Sequence, residues 1–106
     1  RAARRLARGG AAAQGRLPAH ARALALDHAE DNIRVVALSP GAVQTPRLAD
    51  IFGSPDAAEE ILGKSHPVGR LGQAEELAEA ALFLVSDNAS FITGTDLVAD
   101  GGYIAR

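Results

Sequence analysis

The residues with the most suggestive chemistry are Pro40-Gly41-Ala42-Val43-Gln44-Thr45. Small side chains here let a ligand approach the backbone closely, and the Thr45 hydroxyl can both donate and accept a hydrogen bond. The segment directly follows Ile33–Leu38, a nearly unbroken apolar run rich in β-branched residues. Such a run suits a strand buried on both faces of a parallel sheet, and in open α/β sheets ligands sit beyond the carboxyl ends of strands. Other side chains capable of chemistry are scattered. His28 shares a helical face with Leu24 and reads as a solvated side chain. His66 could touch a substrate but reads first as a surface histidine, and Asp100 stands beside Gly101-Gly102. Tyr103 is the only tyrosine in the chain.

Pattern also predicts the elements that must position these residues. Arg22–Asp31 is rich in helix formers and stops at Asn32. Ser39-Pro40-Gly41 ends the apolar strand, because proline lacks a backbone donor and glycine opens other backbone angles. Arg47–Phe52 predicts a short helix, followed by a break at Gly53-Ser54-Pro55. A second short helix is expected over Asp56–Lys64, with Ser54 or Asp56 near its start and Gly63 near its end. Pro67–Gly72 reads as a loop. Gln73–Asp87 is the clearest helix, with Leu77, Ala80, Ala81, Leu84 and Val85 at helical spacing and Glu75 and Glu76 in the first turn. Asp96–Ala99 predicts a short final strand.

Arg1–His20 differs from the rest, being mostly Ala, Arg and Gly interrupted by Gly9-Gly10, Gly15 and Pro18. It predicts a disordered basic tail. A nucleic-acid-binding arm is the sharper reading, but the stretch has no aromatic residue for stacking. The division expected is therefore a separate N-terminal segment over 1–21 and a structured part over 22–106.

Composition narrows the function classes. A net charge of -2 gives no reason to expect nucleic acid or an acidic membrane surface as partner. The absence of cysteine removes disulfides and thiolate metal sites and fits a cytoplasmic setting. No apolar run approaches the ~20 residues of a membrane span, and no signal-peptide core follows the basic start. At 106 residues the chain suffices for one small domain. It is short for a dinucleotide-binding fold made of two βαβαβ halves, since one βαβ unit takes ~30 residues or more.

Ser39–Pro46, S-P-G-A-V-Q-T-P, resembles the Pro-Gly segment after the sixth strand in the short-chain dehydrogenase/reductase family. Gly69–Tyr103, beginning G-R-L-G-Q-A-E-E and closing V-A-D-G-G-Y, is similar to that family's ending, in the same order and at similar spacing. The resemblance implies an α/β fold: a partial Rossmann-like fold, the C-terminal half of a doubly wound parallel sheet. It implies hydride transfer between NAD or NADP and a small-molecule alcohol or carbonyl, with Pro40, Gly41, Val43 and Thr45 binding the cofactor. The backbone around Val43 would meet the nicotinamide carboxamide, and the Thr45 hydroxyl would bond the amide or a phosphate. Arg47–Lys64 would be the variable substrate loop, in which Ile51, Phe52, Ile61 and Leu62 either cover an apolar substrate or pack on the sheet. Arg70 and Asp100-Gly101-Gly102 would be structural, and oligomers or aggregation would be expected.

The family's reaction also uses a Tyr, and a Lys four residues later. Counting back from Arg22, those positions fall at Gly10 and Gln14. Glycine has no acid to offer, and neutral glutamine cannot supply the cation that depresses a phenol pKa. Tyr103 has no matching Lys, and the glycine-rich phosphate loop is missing. No catalytic residue is therefore assigned, and the chain alone is expected to be inactive. The alternative is a non-enzymatic remnant that docks to intact subunits.

Overall fold

The computed structural model describes residues 18–106. Residues 18–39 group with Phe83–Leu97 in one compact unit, and Pro40–Leu82 with Val98–Arg106 in a second. Most of the expected disordered tail lies outside the described residues.

The first unit opens with helix α1 over 18–28, already helical at Pro18 rather than starting at Arg22. Ala21 and Ala25, one turn apart, are its buried residues, while Leu26 on another face is exposed. Small side chains are favoured here by close packing: a Cβ placed on Gly94 would sit 3.4 Å from the Ala25 Cβ. A 3-10 turn over Ala29–Asp31 follows, and Asn32 ends it with φ 59, the left-handed conformation that asparagine tolerates at helix ends.

Strand β1 (Ala37–Pro40) pairs with β2 (Asp96–Ala99) in a two-stranded parallel sheet. Within the first unit the Ala37 N–H donates to the Thr95 carbonyl at 2.9 Å, and the Ser39 hydroxyl donates to Asp96 at 2.7 Å. The strand expected over Ile33–Leu38 thus begins four residues late. Its partner segment is a turn until Thr95, so the residues before Ala37 are tied to that turn instead. Val35 donates to the Thr93 hydroxyl and accepts from the Gly94 N–H. Arg34 donates to the carbonyls of Ser86 and Ile92. Nor are Ile33–Leu38 buried on both faces: Ile33 is 50% exposed and the other five are partly buried.

The second unit is built on two capped helices. Thr45 caps α2 (Pro46–Phe52) and Ser54 caps α3 (Pro55–Leu62), each hydroxyl accepting a backbone N–H three residues on. Proline stands at N1 of both, where its missing donor costs nothing. Gly53 joins them at φ 96. Ala58, Leu62 and Leu71 form the core, with Ala42, Leu48 and Phe52 packed around it. Leu71 is completely buried, which stabilises the fold by about 1.5–3 kcal/mol relative to leaving it in water. Helix α4 (Ala74–Val85) begins in this unit. Its buried face follows the expected spacing as far as Leu84, but Val85 is 75% exposed. Among the described residues no helix is long and apolar enough to cross a membrane.

Candidate functional site

In the second unit β1 runs directly into the Pro40–Thr45 segment. The Gly41 N–H still pairs with Ala99, at 3.0 Å. One residue later the chain leaves β2 and forms a parallel bridge between Val43 and Gly72. Gly72 donates to the Ala42 carbonyl at 3.0 Å, and Gln44 donates to the Gly72 carbonyl at 2.9 Å. When the residues on either side of Val43 make the bridging bonds, its own N–H and C=O turn to the opposite side. One donor and one acceptor on a single extended residue are what a planar carboxamide, itself donor and acceptor, can meet.

The other three candidates have structural duties as well. An added Cβ on Gly41 would fall 2.8 Å from the Asp100 Cα, so this glycine serves a close approach of two backbones. The Thr45 Oγ1 accepts the Leu48 N–H as a helix cap and keeps its own proton to donate. Pro40 is the exposed last residue of β1. Gln44 donates its amide to the Pro55 carbonyl at 3.0 Å, fastening the segment to the start of α3.

Around this segment the unit is held by buried polar groups. Asp100 is buried and accepts the N–H groups of Gly102, Tyr103 and Ile104 at 2.9–3.1 Å, so its carboxylate is occupied in closing the last turn. His66 is not a surface histidine. It is only 6% exposed, with Nδ1 2.9 Å from the Leu62 carbonyl and Nε2 3.3 Å from the Ala42 N–H. Its ring centroid lies 5.5 Å from that of Tyr103. Nothing in the H-P-V sequence signals this burial: the Leu62 carbonyl is a local partner four residues back, but Ala42 arrives through tertiary packing.

Arg70 clasps Glu76 through two hydrogen bonds of 2.7 and 3.0 Å, and Glu76 also accepts the Gln73 N–H at the start of α4. The bond from Gln73 is the half of a capping box in which the Glu side chain reaches back to the backbone N–H three residues earlier. The hydrogen bond from Arg70, followed by that from Gln73, lowers the Glu76 pKa to about 2, and the bond to Glu76 raises that of Arg70. A depressed carboxylate contributes stability above its unfolded pKa, and that contribution is lost as pH falls through the folded value. The pair should accordingly persist on acidification from the ordinary carboxylate range down to about pH 2. Carboxyl-carbon NMR of Glu76 checks this, and a midpoint in the ordinary range would contradict the clasp.

The apolar residues of the α2–α3 segment differ in burial. Leu62 is in the core with Phe52 packed against it, whereas Ile51 and Ile61 are about half exposed. A cavity of about 310 Å³ in the same unit is lined by Ala42, His66, Arg70, Glu76 and Asp100, among others. Pro40, Gly41, Val43 and Thr45 are outside its lining. Among the described residues no cluster of His, Asp or Glu could hold a metal ion.

A family model described as enoyl-(acyl carrier protein) reductase matches residues 7–104. Cyclohexanol dehydrogenase of Acinetobacter sp. is 44% identical over 85 residues, which are 80% of this chain and 32% of that protein. A crystal structure described as a putative 2-deoxy-D-gluconate 3-dehydrogenase from Agrobacterium tumefaciens with bound NADP superposes with a TM-score of 0.76 at 33% identity, over 90% of this chain and 38% of that one. 4-Hydroxyisoleucine dehydrogenase complexed with NADH superposes with a TM-score of 0.77 at 29% identity, over 90% and 39%. The chain spans about a third of the length of the curated relatives it matches.

Proposed function

The chain belongs to the short-chain dehydrogenase/reductase family and matches its C-terminal portion, and from that premise we propose that it is part of an NAD- or NADP-dependent oxidoreductase acting on small alcohols or carbonyls. The observation that carries this reading is the Val43–Gly72 bridge, which leaves the Val43 donor and acceptor on the side away from Gly72, two residues before the Thr45 hydroxyl. Val43 would hold the carboxamide of the nicotinamide, Thr45 would add a donor, and Pro40 and Gly41 would set the direction of the chain leading to them. The cofactor supplies the hydride chemistry when bound; this chain's described residues bind and orient. The relative named for cyclohexanol supports a small alcohol as substrate, and Ile51 and Ile61 would cover an apolar one. Zero cysteines support a cytoplasmic setting.

Gly10 and Gln14 stand where the family's acid and its supporting cation are expected, so the chain does not turn over substrate by itself. Titrating NADH or NADPH into labelled protein tests the binding role. Saturable amide shifts centred on Val43 and Thr45 are expected, and their absence would sink it.

A second reading, association with intact subunits without chemistry, is favoured by exposure in the first unit. Phe91 is fully exposed, Leu26 is 80% exposed, and Ile33 is half exposed. Parallel strands are normally covered on both faces, and uncovered apolar patches drive association. Light scattering should therefore find oligomers or aggregates; a monodisperse monomer with a sharp melt would contradict this.

A further inference from the structure

The two bonds that Gly72 makes to the chain around Val43 are each held from behind. A peptide group is a rigid plane that joins the C=O of one residue to the N–H of the next. The Leu71–Gly72 peptide donates its N–H to the Ala42 carbonyl at 3.0 Å, and on its other edge the Leu71 carbonyl accepts from Arg70 Nη1 at 3.1 Å. The Gly72–Gln73 peptide accepts the Gln44 N–H at 2.9 Å, and on its other edge the Gln73 N–H donates to Glu76 Oε1 at 3.0 Å. Arg70 and Glu76 then close on each other through the bonds of 2.7 and 3.0 Å. Both side chains are about half exposed, but a bidentate fork is the ion-pair geometry that holds its place at such a site.

Both lines of bonds end at Val43. The Ala42 carbonyl shares its peptide plane with the Val43 N–H, and the Gln44 N–H shares its plane with the Val43 carbonyl. One line therefore runs from the Arg70 guanidinium through the Leu71–Gly72 peptide to the Val43 N–H. The other runs from the Glu76 carboxylate through the Gly72–Gln73 peptide to the Val43 C=O. The charges stand at the right ends. A cation donating to a carbonyl makes the N–H of the same peptide a stronger donor, an anion accepting from an N–H makes the C=O a stronger acceptor, and successive bonds polarise one another. Exchanged charges would weaken both. Capping α4 asks only for the bond from Gln73 to Glu76, so the bond from Arg70 to Leu71 has no part in the cap.

We propose that Arg70 and Glu76 are positioning residues for the Val43 backbone: Arg70 aims and polarises its N–H, Glu76 does the same for its C=O, and together they prepare the two groups that meet the nicotinamide carboxamide. The proposal rests on the cofactor reading for what Val43 receives, whereas the two lines of bonds can be measured with no cofactor added. It differs from a purely structural ion pair because each side chain governs a different peptide.

Two variants separate the lines, read by amide exchange in NMR without cofactor. Arg70→Met keeps the stem and loses the donors, so the Gly72 N–H should exchange about fivefold faster, the factor for one net hydrogen bond, with a smaller change at Gln44. Glu76→Ala should reverse the order, with Gln44 accelerated more than Gly72. The Gly41 N–H, bonded to Ala99 outside both lines, should keep its wild-type rate in each. Unchanged rates at Gly72 and Gln44, or equal acceleration of Gly72, Gln44 and Gly41 as in general loosening, would overturn the proposal. The wild type gives a readout that needs no variant: Arg70 held at Leu71 and Glu76 should show separate, slowly exchanging Nη proton signals, and averaged signals would overturn it. An NADH titration followed at Val43 should then need severalfold more cofactor in Arg70→Met than in the wild type, and equal affinities would overturn the positioning role. A wild-type titration that leaves Val43 unperturbed would overturn the cofactor reading instead, with the exchange rates still deciding whether the two lines exist.

Discussion

Gly41→Ala is expected to shift the urea unfolding midpoint down strongly, with a loss toward the upper end of the ~1–3 kcal/mol typical of overpacking. The new Cβ would lie 2.8 Å from the Asp100 Cα, 3.0 Å from its Cβ and 3.1 Å from its carbonyl oxygen. Two of those atoms are backbone, so no rotamer change relieves the clash. Neither side can retreat cheaply. Gly41 donates to Ala99, and Asp100 is fixed by the three N–H groups its carboxylate accepts. Gly53→Ala is the control, because nothing lies within 4 Å of that position. Its cost comes only from φ 96 and should stay near ~1 kcal/mol. Equal midpoints for the Gly41 variant and the wild type would mean that the two backbones do not approach as described.

Leu71→Ala should cost about 2–5 kcal/mol, the range for removing a large buried aliphatic side chain and leaving a cavity. Leu71 is fully buried against Ala58 and Leu62, and its N–H is held by Glu59 at 3.1 Å, which limits relaxation into the gap. A small domain has only ~5–15 kcal/mol of net stability, so the variant could lose a large share of its folded population. Leu82→Ala, at a site 61% exposed, should change stability by no more than about 0.5 kcal/mol. Circular dichroism with urea compares the two, and similar midpoints would contradict the assigned core.

The local features of the fold were readable because their causes are local. Thr45-Pro46 and Ser54-Pro55 each carry a capping hydroxyl followed by an N1 proline, and α2 and α3 start there. Asn32 was readable as a terminator for the same kind of reason, and Asp96–Ala99 matches its expected bounds. The register of β1 was not readable. A strand is defined by its partner, and that partner follows the Gly94 turn nearly sixty positions later in the chain. His66 was misread because a histidine in a polar stretch gives no sign that the distant Ala42 N–H will meet it. At the candidate site, the positions of Pro40, Gly41, Val43 and Thr45 came from the family resemblance. The physical reason for Gly41, contact with Asp100, emerged only from the structure, as did the bridge from Val43 to Gly72.

The most direct test of the central claim is turnover by the purified 106-residue chain, followed as the oxidation or reduction of NAD(H) and NADP(H) with small alcohols and ketones. A chain that carries the segment proposed to meet the nicotinamide, but has Gly10 and Gln14 where the family's Tyr and Lys are expected, should show none above buffer. Turnover that survives removal of contaminating enzymes and disappears on replacing a residue of this chain would contradict it.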